Sequence, residues 1–189
     1  MRDVLLVDVG TLSPLLDRFR GRQQSASETV CLRFDRLAAW LIGCGKKKRA
    51  ERVAARDLYT GPLFRARREY AEATGAPWYV VSAKYGLLSP DQGVGPYDLT
   101  IKDLCEPDRA AWALCTIRAV LDDLTDDTHL REVILEVHAG ADYAEPLVEV
   151  ARAAGFSTDW PVQGLGIGEQ RAWYVELTRQ ARLGMRRAG

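Results

Sequence analysis

The chain has 189 residues, with 26 Lys+Arg, 26 Asp+Glu and 47% hydrophobic residues. That composition excludes a low-complexity or highly charged disordered chain and predicts one globular domain with a sizeable core. No stretch nears the ~20 apolar residues of a membrane span, no signal peptide is apparent behind Met1-Arg2-Asp3, and the four cysteines lack CxxC spacing; the expectation is a cytoplasmic chain with no membrane partner, no metal site and no cofactor.

The balanced total charge hides an uneven distribution. Residues 46–70 hold nine Lys/Arg against three Asp/Glu, whereas residues 98–149 hold thirteen Asp/Glu against four Lys/Arg. The folded molecule is expected to have a basic and an acidic region.

Residues 1–37 read as an N-terminal arm, with a short strand at Val4–Val9, a short helix over 13–22 and a polar loop from Gln23 to Thr29. The main domain, residues 38–189, opens on a buried strand, Ala38–Ile42. That strand ends in Gly43-Cys44-Gly45-Lys46-Lys47-Lys48. Two glycines permit close backbone approach and three lysines follow, the logic of an anion-binding turn. A solvated lysine run is an equal reading, and the GxxxxGK[ST] spacing of a Walker A loop is absent. Cys44 reads either as a nucleophile beside lysines or, more commonly for a free cysteine, as a small buried hydrophobe.

Arg56-Asp57-Leu58-Tyr59-Thr60 leads into a helix with Thr60 as N-cap, Pro62 in the first turn and Gly75 at its end. Arg65, Arg67 and Arg68 give it a basic surface. A second buried strand, Trp78–Val81, runs into Ser82-Ala83-Lys84-Tyr85-Gly86, which places a hydroxyl, an amine and a phenol on a turn beyond a strand end. A plain surface turn is the alternative. Pro96-Tyr97-Asp98-Leu99-Thr100 is extended, with Tyr97 packing over a site or stacking on a ligand.

Residues 107–124 carry an amphipathic helical stripe, to which Cys105 and Cys115 are assigned as packing residues. Asp122, Asp123, Asp126 and Asp127 read as a solvated acidic loop. Val133–His138 is a third strand, ending in His138-Ala139-Gly140-Ala141-Asp142-Tyr143, with Asp142 as cap and Glu145 near the first turn of the helix to Ala154. Phe156–Val162 holds a short edge strand. Gly164-Leu165-Gly166-Ile167-Gly168 opens the C-terminal helix; it lacks the βαβ context of a dinucleotide fingerprint but could hold a phosphate at a helix N-terminus. His129 and Glu169 read as surface residues.

These elements predict an α/β fold, a single domain with a central, mostly parallel sheet flanked by helices. Three strand ends carry the unusual residues: Cys44 with Lys46–Lys48, Ser82 with Lys84 and Tyr85, and His138 with Gly140 and Tyr143. In a doubly wound sheet such ends converge on one edge, and a phosphate-bearing ligand is the economical occupant.

The motifs Gly43–Lys48, Ala55–Tyr59, Ser82–Leu88, Pro96-Tyr97-Asp98, Gly140–Tyr143 and Gly164–Gly168 resemble a family of uncharacterised bacterial and phage proteins over roughly residues 39–175. That family is in turn similar to the YaaA peroxide-stress proteins, which share the Tyr-Gly-Leu-Leu and Pro-Tyr elements. The chain differs from YaaA-like proteins in length and lacks a helix-hairpin-helix signal. The resemblance implies DNA binding and oxidative-stress protection, or proximity to modified-base metabolism, and so nucleobases or nucleic acid as partners.

Two functions follow as expectations. The first is an enzyme acting on a nucleotide or nucleic-acid base, through N-glycosidic cleavage or base exchange. Lys46, Lys48, Arg56 and Lys84 would hold phosphate, Tyr85 or Tyr97 would stack on the base, and Asp98, Asp142 or Glu145 would stabilise an oxocarbenium-like centre or activate water. Ser82 would orient the sugar, and Cys44, Gly45, Tyr59, Gly86, His138, Gly140, Tyr143, Gly166 and Gly168 would complete the pocket. The second is a non-catalytic DNA-binding, stress-protective protein whose segment 46–68, with Arg179, Arg182, Arg186 and Arg187, contacts the backbone. The oligomeric state is not legible in the sequence.

Overall fold

A computed structural model describes residues 38–124 and 133–187, with side chains described to residue 183. The N-terminal arm and Asp126, Asp127 and His129 lie outside these residues. Period-two alternation sets the architecture. In β1 (Ala38–Gly43), Ala39 and Leu41 face one core while Trp40 and Ile42 face the other. β3 (Trp78–Ser82) repeats the pattern, with Tyr79 and Val81 opposite Val80. A strand buried on both faces needs helices on both, which is the condition for a parallel sheet.

The sheet has five strands in the order β4-β3-β1-β6-β7. β1 pairs in parallel with β3 and with β6 (Ile134–His138), and β6 pairs in parallel with β7 (Ser157–Asp159). Only β4 (Gly86–Leu88) is antiparallel, forming a hairpin with β3. A second, two-stranded ribbon joins β2 (Val53–Ala54) to β5 (Gly93–Val94).

Short α1 (Ala55–Leu58), α2 (Pro62–Thr74) and the long C-terminal α5 (Ile167–Arg187) pack on the Trp40 face. α3 (Glu106–Leu124) and α4 (Ala141–Ala153) pack on the Leu41 face through Trp112, Ile117, Leu147 and Ala151. The chain leaves β1 toward β3 and later returns past β1 to β6. The sheet therefore reverses direction between β1 and β6, the position where open α/β sheets hold ligands beyond the strand carboxyl ends.

The α/β, mostly parallel architecture matches expectation. Local details differ. α2 is preceded by Gly61 rather than capped by Thr60, and α4 by Gly140 rather than by the Asp142 side chain. Cys105 and Cys115 are exposed: Cys105 precedes α3, and Cys115 falls off its buried stripe. The turn after Ser82 is the loop of the β3–β4 hairpin, and Gly86 takes a left-handed φ of 68° there. Among the described residues no helix is long and apolar enough to cross a membrane.

Candidate functional site

Ser82 closes β3 and is fully buried. Its carbonyl accepts a bond from Trp112 Nε1 at 2.9 Å, and its Oγ accepts the backbone N–H groups of Lys84 and Tyr85, each at 3.2 Å. The residue is thereby held through its carbonyl by α3 and through its side chain by the hairpin loop. Its hydroxyl donates to Tyr97 Oη at 2.7 Å, and Tyr97 Oη lies 3.0 Å from Tyr59 Oη. Burial raises the Tyr59 phenol to about 12, offset in part by the bond from Tyr97. Burial also raises Tyr97, with Cys44 and Tyr59 the next contributors. Both phenols are protonated at neutral pH, so the row Ser82–Tyr97–Tyr59 is a chain of neutral donors and acceptors, not a base.

A second hydroxyl comes from α4. Cys44 Sγ donates to Tyr143 Oη at 3.3 Å, joining the turn after β1 to the first turn of α4. Burial and then Cys44 raise the Tyr143 phenol. Cys44 is half-buried. Gly45 lies where a Cβ would meet Tyr59 Cβ at 3.6 Å.

Around this hydroxyl cluster sit aromatic faces and amines. Tyr85 is 39% exposed and meets Tyr97 edge-on at 5.3 Å between centroids. Lys48 Nζ stands 4.1 Å from the Tyr97 ring centre, and Lys84 Nζ stands 5.2 Å from that of Tyr85 and 5.9 Å from that of Tyr97. These are cation–π distances.

Beside the cluster, at the β1/β6 reversal, lies a group that the sequence reading placed on the surface. Arg67 of α2 is only 5% exposed. Its Nη2 donates to Gln170 Oε1 at 2.7 Å, and its guanidinium carbon stands 5.9 Å from the Tyr174 ring centre. Tyr174 Oη lies 3.0 Å from His138 Nδ1, and His138 Nε2 lies 3.2 Å from Glu136 Oε2. Burial holds the His138 imidazole below its ordinary range, so it is neutral. The carboxylate requires a donor, which puts the proton on Nε2. Tyr174 then donates to Nδ1. The result is a directed row from Tyr174 through His138 to Glu136. No carboxylate pairs directly with Arg67 among the described residues.

The expected site residues therefore separate. Cys44, Gly45, Lys48, Tyr59, Ser82, Lys84, Tyr85, Tyr97 and Tyr143 come together, with Gly86 shaping the hairpin and Gly140 opening α4. Asp98 is exposed next to Tyr97 and makes no polar contact with another described residue. His138 is fully buried among Trp40, Tyr70 and Tyr174, as a core group between Tyr174 and Glu136. Lys46 is exposed and touches the cluster only through its carbonyl, which accepts from Lys48 at 3.5 Å. Arg56 is ion-paired with Asp91, and Asp142 with Lys102 at 3.2 Å. Glu145 lines grooves on the outer side of α4 with Glu149, Arg109 and Arg152. The Gly166 N–H accepts no ligand role, because Glu169 Oε2 binds it at 2.7 Å and puts negative charge at the start of α5; Gly168 is exposed there. Sequence reasoning assigned Arg67 to the basic surface of the helix, although its register with Phe64 and Ala71, at three- and four-residue steps, puts it on the buried side.

Residues 39–176 match the Family of unknown function (DUF6884). A protein of Bacillus subtilis (strain 168), Uncharacterized protein YfjM, is 42% identical over 67 residues, which are 32% of this chain and 45% of that relative. The match thus spans less than half of that protein. No solved structure matches the chain.

Proposed function

The chain belongs to this family of unknown function (DUF6884), and from that premise we propose that it is an enzyme acting on a nucleotide or a nucleic-acid base at the strand carboxyl edge. The observation that carries the reading is the joint setting of Tyr85, Lys84, Lys48 and Tyr97. An exposed aromatic face stands beside two amines and a fixed row of hydroxyls. Such a surface suits a flat base, which stacks on Tyr85, and a sugar or phosphate, which the Lys48 and Lys84 amines reach beside the Tyr97 ring.

The reaction that fits these groups is hydrolysis of an N-glycosidic bond. The C1′–N bond breaks, the base leaves with a proton, and a water oxygen bonds C1′. Asp98 supplies the carboxylate that stabilises the cationic sugar or takes the water proton. Glu145 has no part, since it lies among the grooves on the outer side of α4. The non-catalytic DNA-binding alternative draws less support, because Arg56 and Arg68 of the basic segment are held in ion pairs with Asp91, Asp57 and Glu72.

The test is chromatographic detection of free base after incubation with a panel of nucleosides, nucleotides and oligonucleotides. Release from at least one substrate, abolished by Asp98→Asn, supports the proposal. No release from any member, or release undiminished in Asp98→Asn, overturns it.

A further inference from the structure

The buried guanidinium of Arg67 reaches the end of β1, beside the segment that leads into α4. A Cβ added to Gly43 would stand 2.9 Å from Ala139 Cβ and 3.3 Å from Arg67 Nη1. Arg67 therefore lies against the end of β1, next to the residue that leads into α4. The N-terminal N–H groups of a helix have no intrahelical acceptors, and α4 has no side-chain cap. Nothing lies within 4 Å of a Cβ position at Gly140, so the space over that turn is open. The Arg67 Nε is buried without a hydrogen bond, and Gln170, the partner of its Nη2, is neutral. A buried cation with an uncharged partner, beside an uncapped thirteen-residue helix at the sheet's reversal point, is short of an anion.

We infer that this crevice is a phosphate subsite, in which the terminal phosphate of a small molecule sits on the N-terminus of α4 and Arg67 supplies the countercharge. The inference deepens the proposed function and rests on it for the identity of the rest of the ligand. It moves the phosphate from Lys46 and Arg56, where the sequence suggested it, to the β1/β6 crevice. Lys48 and Lys84 then flank the base and sugar. Asp142, the acidic residue of the same turn, is held by Lys102 at 3.2 Å. A phosphomonoester is the class that fits: it is compact, it carries up to two charges, and it matches both the helix N-terminus and a guanidinium. A duplex backbone would not reach a group that is 5% exposed.

Ribose 5-phosphate, ribose and a nucleoside serve as separate probes, by calorimetry and by shift of the unfolding midpoint. Gly140→Asp is the decisive variant. The backbone there is extended, with φ −71° and ψ 161°, so an aspartate fits and caps the helix itself. It should leave the unliganded midpoint unchanged or higher while weakening ribose 5-phosphate at least tenfold. Arg67→Gln should weaken it similarly. Binding of ribose 5-phosphate but not ribose, lost in Gly140→Asp, supports the inference, even if no nucleoside binds and the nucleotide reading falls. Nucleoside binding without ribose 5-phosphate binding overturns the inference and leaves the proposed function intact. Equal ribose 5-phosphate affinity in wild type and Gly140→Asp, or no binding of any probe, also overturns it.

Discussion

The Ser82 hydroxyl lies 2.7 Å from the Tyr97 hydroxyl, and this bond ties the end of a central strand to an irregular segment fifteen residues later. Because Ser82 Oγ also accepts two backbone N–H groups of the hairpin loop, its proton is directed at Tyr97. Replacing Tyr97 by Phe leaves the Ser82 and Tyr59 hydroxyls without their shared partner. The expected loss is about 1–3 kcal/mol of unfolding free energy, read by urea denaturation. Ser82→Ala should show a loss of the same order, and the double variant less than the sum of the two, since both changes break one row.

Gly43 is fixed by packing, not by its backbone. Ala139 Cβ would lie 2.9 Å from a new Cβ, and Gly43, paired with Val81 in the sheet, cannot give way cheaply. Gly43→Ala is expected to destabilise the protein by about 1–3 kcal/mol. Gly140→Ala, with open space at the same level, is expected to change stability by less than about 1 kcal/mol. Thermal unfolding of the two variants side by side checks this contrast.

The buried titratable groups fix the pH limits of stability. Burial lowers the His138 imidazole from its ordinary value, so the unfolded chain binds that proton first on acidification. The contribution is fully present above about pH 6.5 and is lost as pH falls below it. Burial raises Tyr59 and Tyr174 to about 12. Their contribution is complete below pH 10 and is lost as pH rises from 10 to 12. The unfolding midpoint should therefore fall on both sides of a plateau. His138→Gln should flatten the acid limb between pH 5 and 7 and leave the alkaline limb unchanged.

Asp98 and Glu145 were equivalent carboxylates in the sequence and are not equivalent in the fold. Asp98 is exposed next to Tyr97, whereas Glu145 lines grooves on the outer side of α4. Where base release is measured, Asp98→Asn should lower the rate by roughly 10²–10⁴-fold. Glu145→Gln should lower it by less than about twofold. A Glu145 variant that abolishes release would move the chemistry away from the strand edge.

How far the sequence was readable follows from the range of each signal. The strands Ala38–Gly43 and Trp78–Ser82 were legible because doubly buried strands are continuous apolar runs, α3 because its stripe repeats at helical spacing, and α4 from the glycines at its two ends. Ser82, Tyr85 and Tyr97 could be nominated from their places at strand ends and in motifs. The bonds among Ser82, Tyr97 and Tyr59 could not, since they join positions 15 and 38 residues apart. Arg67 was misplaced because a charge on an amphipathic helix is by default solvated, and its partner Gln170 lies 103 residues away. The glycines of Gly164–Gly168 looked like a phosphate turn until Glu169 proved to occupy the Gly166 N–H. The two-residue strands β2 and β5 are too short to leave any pattern.

The most direct test of the central claim is an amide chemical-shift titration of labelled protein with nucleoside 5′-monophosphates. The account predicts saturable shifts confined to Gly43–Lys48, Ser82–Gly86, Tyr97–Asp98 and Gly140–Tyr143, the turns that meet at the strand carboxyl edge. Shifts centred instead on the groove of Glu145, Arg152 and Trp160, or on the exposed face of α5 at Val175 and Leu183, would contradict it.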